Sequence, residues 1–473
     1  MSLTRAIASN TAIQIAGKFV GNLLGIITIG VMTRALGRTG YGEFTTAISF
    51  LQFFGILVDF GLTLTMTRMI SEERADEGRV ASNLFTLRLL SGAVFFGLAP
   101  LLALAFPYGP SVKTAIAVGA LSFFAMTSSQ VLTGVFQKHL ATGRAAVADV
   151  VGRAVLLAGA VHAATRGAGL QAFVLAFVLA NAAQFALSYA FARKFARIGF
   201  AFDLAMWRRI VRESWPIGVS IAFNLIYLKG DVIILSLTRS QAEVGLYGAA
   251  YKVLDVITVI PMIFMGLVLP VIASAWSAGR RDDFTRRLGK AFDALSLLAL
   301  PLAFGTAPVA TDLMRLVAGE QFAASGAFLT VLMLAGAAVF WSALFGHTIV
   351  ALGMQRRMIA AYAADAVLSL ALYAYAVPRF GGLGAAWVTV FSEAFIAVVT
   401  AWAVIRTVRH APPMRTFVRA LIASALMAAA VAAAAPLHVL LRVALGMAVY
   451  AALLAAFGVL KKETFASLRR PAA

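Results

Sequence analysis

Tyr41-Gly42-Glu43-Phe44, preceded by Leu36-Gly37-Arg38, opens one long apolar run, and Tyr247-Gly248-Ala249-Ala250, preceded by Val244-Gly245, opens another 206 residues further on. Two more pairs recur in the same order. Ala141-Thr142-Gly143 answers to Ala351-Leu352-Gly353 at an offset of 210, and Gly169-Leu170-Gln171-Ala172 to Gly382-Leu383-Gly384-Ala385 at 213. Three ordered matches at nearly constant offset define an internal repeat. Each copy holds six apolar runs. Six is even, so both copies enter a bilayer from the same side and form parallel repeats about an axis along the membrane normal.

A helix needs roughly 20 mostly apolar residues to cross the ~30 Å hydrocarbon core. The runs at 12–34, 43–66, 83–105, 114–135, 145–165, 168–191, 214–236, 245–269, 288–309, 325–350, 357–376, 382–405, 416–434 and 439–459 qualify, fourteen in all. Hydrophobic residues make up 61% of the chain and charged residues 13%, about half the share usual in a soluble domain. The expected fold is an all-α polytopic membrane protein with about 14 transmembrane helices. Two six-helix lobes, 1–192 and 214–407, flank a linker at 193–213, and 408–473 carries two C-terminal helices and a tail. Spans 13 and 14 lie outside the repeat, and twelve spans is the neighbouring count. The first dozen residues lack a cleavable signal pattern, so the first run is expected to remain as an anchor.

The net charge of +20 suggests nucleic acid until its placement is read. Counting the outermost turn of each span with its adjoining loop, 27 of the 40 Lys and Arg fall at the N-terminus, in the even-to-odd loops and in the C-terminal tail. Eight fall on the opposite side (Arg34, Arg38, Lys113, Arg166, Arg239, Arg315, Arg379 and Arg442) and five within spans. Lys and Arg collect on the cytoplasmic side, so both termini are expected there. The basic balance is a topology signal, and no nucleic-acid partner is expected. Within the linker, Phe200, Leu204, Trp207 and Val211 recur at helical spacing opposite Arg208, Arg209 and Arg212, which predicts an interfacial helix. Cysteine is absent and the five histidines are scattered, so neither a metal site nor a cofactor is expected. No loop exceeds about 20 residues by these spans, which leaves no housing for a soluble active site and disfavours an enzyme.

A charge at mid-span costs roughly 2.5–3.5 kcal/mol on insertion scales, so such a residue faces a cavity or a partner. The embedded cations are Lys18, Arg88, Arg153, Lys229 and Lys252; the acids are Asp59, Asp149, Asp231, Asp255, Asp293, Asp365 and Glu393. Asp149 and Arg153 stand four apart and Lys252 and Asp255 three apart, so each pair can meet on one helix face. Arg88 and Asp293 lie near enough to a span end to snorkel, and Asp59 suits a cap or tether. Lys18 and Lys229 have no acid three or four residues away, so each takes an interhelical partner, water or an anionic substrate. Asp231, Asp365 and Glu393 are candidates for a coupling ion, proton or sodium, with pairing to the cations as the competing reading. Gly17, Gly21 and Gly25 offer a flat face for close helix approach. Pro261 and Pro301 fall inside spans as hinges or static bends.

Leu36-Gly37 through Tyr41-Gly42, Val58-Asp59-Phe60-Gly61-Leu62, Trp215-Pro216-Ile217-Gly218, Asp231 and Val244-Gly245-Leu246-Tyr247-Gly248-Ala249-Ala250-Tyr251 follow one another in order. In this the chain resembles the polysaccharide (Wzx-type) flippases of the multidrug/oligosaccharidyl-lipid/polysaccharide exporter superfamily. The resemblance covers most of the chain and weakens over spans 13 and 14. It implies V-shaped lobes around a central cavity. It also implies translocation of an undecaprenyl-diphosphate-linked oligosaccharide across a bacterial cytoplasmic membrane by alternating access, for surface polysaccharide synthesis. Lys18, Arg153, Lys229 and Lys252 would hold the diphosphate, and Asn22, Gln52, Asn224 and Tyr227 the sugar. A polysaccharide polymerase is the partner that such proteins often work beside. The polymer itself, O-antigen of lipopolysaccharide, capsule, exopolysaccharide or teichuronic type, is left open. Two relatives compete: a lipid II flippase of the MurJ type, usually richer in arginine in its first two spans, and a multidrug and toxin extrusion antiporter, usually of twelve spans. A membrane glycosyltransferase would need a sizeable loop carrying carboxylates.

Overall fold

Apolar runs punctuated by glycine, proline and short polar caps give helices, and among the described residues no strand forms. The computed structural model describes residues 3–72 and 76–459, leaving out the side chains of 3–9, 11, 12, 15, 216, 217 and 219–229. The helices are α1 (Leu3–Asp59), α2 (Leu62–Ile70), α3 (Glu77–Leu104), α4 (Pro110–Val131), α5 (Thr133–Lys138), α6 (Thr142–Thr165), α7 (Leu170–Ala192) and α8 (Leu204–Thr238). They continue as α9 (Gln241–Ser277), α10 (Arg281–Thr306), α11 (Ala310–Ala318), α12 (Ser325–Ala351), α13 (Gln355–Val408), α14 (Met414–Ala433) and α15 (Val439–Ala456). Eleven helical stretches among the described residues are long and apolar enough to cross a membrane. Two of these, Ala16–Ile70 and Gln355–Val408, each hold two spans meeting at a glycine with positive φ, Gly37 (65°) and Gly381 (58°). With α8 as the seventh span, all fourteen expected runs fall on helices. Large apolar side chains such as Phe19, Leu101 and Val398 point outward, as a lipid-facing surface requires.

Met1–Gly248 and Ala249–Ala473 are two compact units. In the first, α1 packs on α6, α4 on α7, and α8 on α1, α2 and α3. The repeated glycine motifs meet here. A Cβ on Gly42 would overlap the Gln241 carbonyl, and one on Gly245 the Arg38 carbonyl, so the two backbones touch with no side chain between them. Thr46 donates to the Gln241 side chain beside this crossing (2.7 Å). Span 2 ends differently. Phe60 (φ 36°) and Gly61 (φ 82°) break the helix, and Asp59 accepts from the Gly61 N–H (3.2 Å) and the Thr63 hydroxyl (2.5 Å). A Cβ on Gly218 would lie 2.7 Å from the Phe60 ring, so two motifs that are 158 residues apart in the chain pack together.

Arg88 does not snorkel. It is fully buried, ion-paired with Asp59 (2.9 Å) and donating to the Thr127 carbonyl (2.9 Å). Nearness to a span end fixed its depth but not its facing, and the Asp59 carboxylate drew it inward.

The linker also departs from expectation. Phe200 lies ahead of the helix, which begins at Leu204 and runs without a break through span 7. Asp203 caps it by accepting from the Met206 N–H (3.0 Å). The irregular segment before it is stitched to one face of α3. Ser82 bonds the Arg197 carbonyl and the Gly199 N–H, Thr86 the Ala201 N–H, and Asn83 both the Asp203 N–H and the Trp207 indole. Arg79 completes the seam in an ion pair with Asp203.

In the second unit α12 packs on α13, and α10 on α12 and α14. α9 continues through Pro261 and Pro270, and α10 through Pro301. Spans 13 and 14 are firmly docked: buried Arg442 on α15 pairs with Asp312 (2.7 Å) and donates to the Pro308 carbonyl, and Tyr450 donates to the Leu297 carbonyl.

Candidate functional site

The glycine stripe of span 1 is the seat of α6. A Cβ on Gly17 would come 2.9 Å from Ala146, and one on Gly21 would come 3.0 Å from the Arg153 stem. The missing side chains leave a channel for Arg153, which donates to Asp149 (3.0 Å) and to the Gly21 carbonyl (3.1 Å). Its charge is thus shared with Asp149 on the same helix, while about two-fifths of the side chain stays open. Lys18 stands at the edge of this seam and is exposed. No described carboxylate lies within ion-pair distance of it. Six residues inside its span, it sits roughly 9 Å deep at 1.5 Å per residue.

Of the other two cations, one has a described side chain. Lys252 on α9 pairs with Asp255 (3.1 Å), as their spacing predicts. The Lys229 side chain lies outside the described residues, as do those of Asn224 and Tyr227. The first unit therefore gathers Lys18 and Arg153 on neighbouring helices.

The three candidate acids part company. Asp231 is fully buried and takes the Tyr247 hydroxyl at 2.6 Å, tying span 7 to the first turns of span 8. Asp365 and Glu393 lie across the hairpin of α13. Asp365 is fully buried and accepts from Ser392 (2.8 Å) and Ser369 (3.2 Å); Glu393 is 7% exposed and faces Ser342 on α12 at 3.5 Å. Among the described residues no cation reaches either carboxylate. Ser342, Ser369 and Ser392 were not singled out from the sequence. Their signal is a ladder at four-residue spacing, Asp365, Ser369 and Tyr373, facing Thr389 and Ser392 across the turn, with Tyr373 bonded to Thr389 (3.0 Å).

An acid pair lined by hydroxyls can accept a proton or a small hard cation, since oxygen ligands suit both. A cation beside a shared guanidinium can hold phosphate.

No curated protein sequence matches the chain. The structure is similar to lipid II flippase MurJ in an inward closed conformation, with a TM-score of 0.78, 12% identity, and coverage of 94% of this chain and 98% of that one. It is similar also to an inward-facing multidrug resistance MATE family transporter of the MOP superfamily (TM-score 0.66, 14% identity, 84% and 99% covered). A third likeness is to a MOP superfamily transporter from Pyrococcus furiosus (0.61, 14%, 86% and 96%). At these identities the likeness is one of fold. Residues 7–276, more than half the chain, match the family described as polysaccharide biosynthesis protein. The chain belongs to that family, on the membrane-embedded helical fold of the MOP superfamily transporters.

Proposed function

We propose that the protein is a flippase that carries an undecaprenyl-diphosphate-linked oligosaccharide from the inner to the outer leaflet of a bacterial cytoplasmic membrane. Both termini face the cytoplasm, and the lobes at 1–192 and 214–407 alternate about the substrate. A diphosphate cannot cross hydrocarbon unaided, because its desolvation is prohibitive. Lys18 carries the proposal: an exposed lysine, embedded in a span and without a described carboxylate, has its charge open to water or to an anionic substrate. Arg153 in its glycine channel supplies a second cation, and Lys229 and Lys252 extend the path on spans 7 and 8. A coupling ion, proton or sodium, is assigned to Asp365 and Glu393, with Asp231 engaged by Tyr247. A polysaccharide polymerase is the partner that takes up the product.

The test is export of surface polysaccharide in a deletion strain complemented with wild type, Lys18→Ala or Lys18→Arg. Deletion is expected to abolish the polymer and to accumulate lipid-linked repeat units inside. Lys18→Ala, present at normal abundance, is expected to lose at least tenfold in export, since one charge-assisted phosphate contact contributes about 1.5–3 kcal/mol. Lys18→Arg should retain most of it. Normal polymer in the deletion strain, with raised sensitivity to cationic drugs, would instead place the protein with the antiporters. That reading draws on the cation-free acid pair.

A further inference from the structure

One cavity in the second unit belongs to no part of this path. It measures about 240 Å³ and is lined by Phe264, Leu267, Val268 and Val271 on α9 and by Arg287, Lys290 and Ala291 on α10. The four α9 residues fall at i, i+3, i+4 and i+7, one stripe of a helix. Leu267 (56%) and Val271 (43%) are exposed, so the stripe opens outward.

The charge at this groove is unbalanced. Residues 280–290 hold five cations, Arg280, Arg281, Arg286, Arg287 and Lys290, against Asp282 and Asp283. Asp283 alone takes Arg280, Arg286 and Arg287, so one carboxylate serves three guanidiniums. The Arg287 Nε is buried with no acceptor among the described residues. Lys290 is exposed and has no described carboxylate within ion-pair distance.

Height separates the two chemistries. α9 ends at Ser277 and α10 begins at Arg281. Arg287 and Lys290 lie six and nine residues from that beginning, and Val271 and Val268 six and nine from that end. The cations are therefore level with the two valines, and Phe264 lies a further turn inward, about 5 Å. The hydrocarbon runs of spans 8 and 9 stop at 269 and start at 288, so the cations stand at the boundary of the apolar layer, on its lysine- and arginine-rich side.

We propose that this groove binds an anionic phospholipid of the cytoplasmic leaflet. Its phosphate sits against Arg287 and Lys290, and one acyl chain lies along Val268, Leu267 and Phe264. Basic pockets between transmembrane helices on this side attract anionic headgroups, and the cytoplasmic leaflet supplies them. The volume is below the ~300–1,000 Å³ of pockets for drug-sized ligands, which suits a phosphate and the upper part of one acyl chain better than a glycan headgroup. The inference rests on the chain crossing a membrane in the proposed orientation and not on what it transports.

The test uses the full-length protein purified in detergent, with native mass spectrometry after titration with phosphatidylglycerol or phosphatidylcholine. Wild type is expected to retain phosphatidylglycerol roughly tenfold more tightly, the worth of one to two basic contacts near an anionic surface. Lys290→Gln should lose most of that preference. Leu267→Trp, which fills the groove from its open side, should lower retention with the charges intact. The wild-type comparison needs no variant, so a folding defect cannot mask the answer. Equal retention of the two lipids overturns the proposal. So does displacement of phosphatidylglycerol by undecaprenyl phosphate at equimolar concentration, which would make the groove a carrier-lipid site.

Discussion

Asp365 and Glu393 show what a single pair of residues can carry. Two carboxylates together in a dry interior repel, and serine hydroxyls offset only part of the lost hydration. Under the proposed coupling, an ion entering between them relieves that repulsion, and its exit restores it. Glu393→Gln is then expected to make export independent of the imposed gradient, and Asp365→Asn to do the same, while Asp255→Asn keeps the dependence. Proteoliposomes with an imposed proton or sodium gradient make the measurement, and unchanged gradient dependence in both core variants would remove the pair from coupling. Part of the residue-level picture was legible in sequence. Asp149–Arg153 and Lys252–Asp255 could be paired because three and four residues bring side chains onto one face. Asp365 and Ser392 could not, since their contact depends on the relative rotation of two helices joined at Gly381. Arg88 was misplaced for a similar reason: depth is readable from span ends, but facing needs the neighbour.

At the scale of elements, close approach and open surface make opposite demands on glycine. Gly245 on α9 meets the Arg38 carbonyl, whereas nothing lies within 4 Å of a Cβ placed on Gly266 of the same helix. Gly245→Ala must push one backbone off the other and is expected to cost about 1–3 kcal/mol. Gly266→Ala is expected to be neutral or to stabilise by up to about 1 kcal/mol through helix propensity. Thermal unfolding in detergent separates the two, and a Gly245→Ala protein as stable as wild type would refute the crossing. The linker seam makes a prediction about pH. The Met206 N–H and Arg79 hold the Asp203 carboxyl below the ordinary carboxylate range. Its contribution is fully present above the unfolded value near ~3.9 and is lost as pH falls through the lower folded value. Hydrogen exchange across 197–207 should therefore stay slow at neutral pH and on acidification to about pH 4, quickening only below. Quickening already between pH 7 and 5 would show that Asp203 is not the clasp.

For the whole molecule, run length was enough to find the helices that carry all fourteen apolar runs, because it follows from hydrocarbon thickness. The first pair of glycine motifs was legible because it sits at junctions where the backbone has few choices: Gly37 turns, and Gly42 and Gly245 touch. The continuity of the linker helix with span 7 was not, since the polar face of Arg208, Arg209 and Arg212 reads the same whether a helix stops or continues. The docking of spans 13 and 14 through Arg442 was equally hidden, its partner Asp312 lying 130 residues away. The two single-glycine turns also bear on how the chain is made. In the proposed orientation, with both termini cytoplasmic, no length of soluble loop has to be pulled through the bilayer between spans 1 and 2 or between 11 and 12; only a few arginines cross, with Arg34 already folded back onto the Gly30 carbonyl and Arg379 onto that of Tyr375. Each such pair can leave the ribosome and enter the membrane as a preformed hairpin, leaving an outside protease or antibody almost nothing to grip.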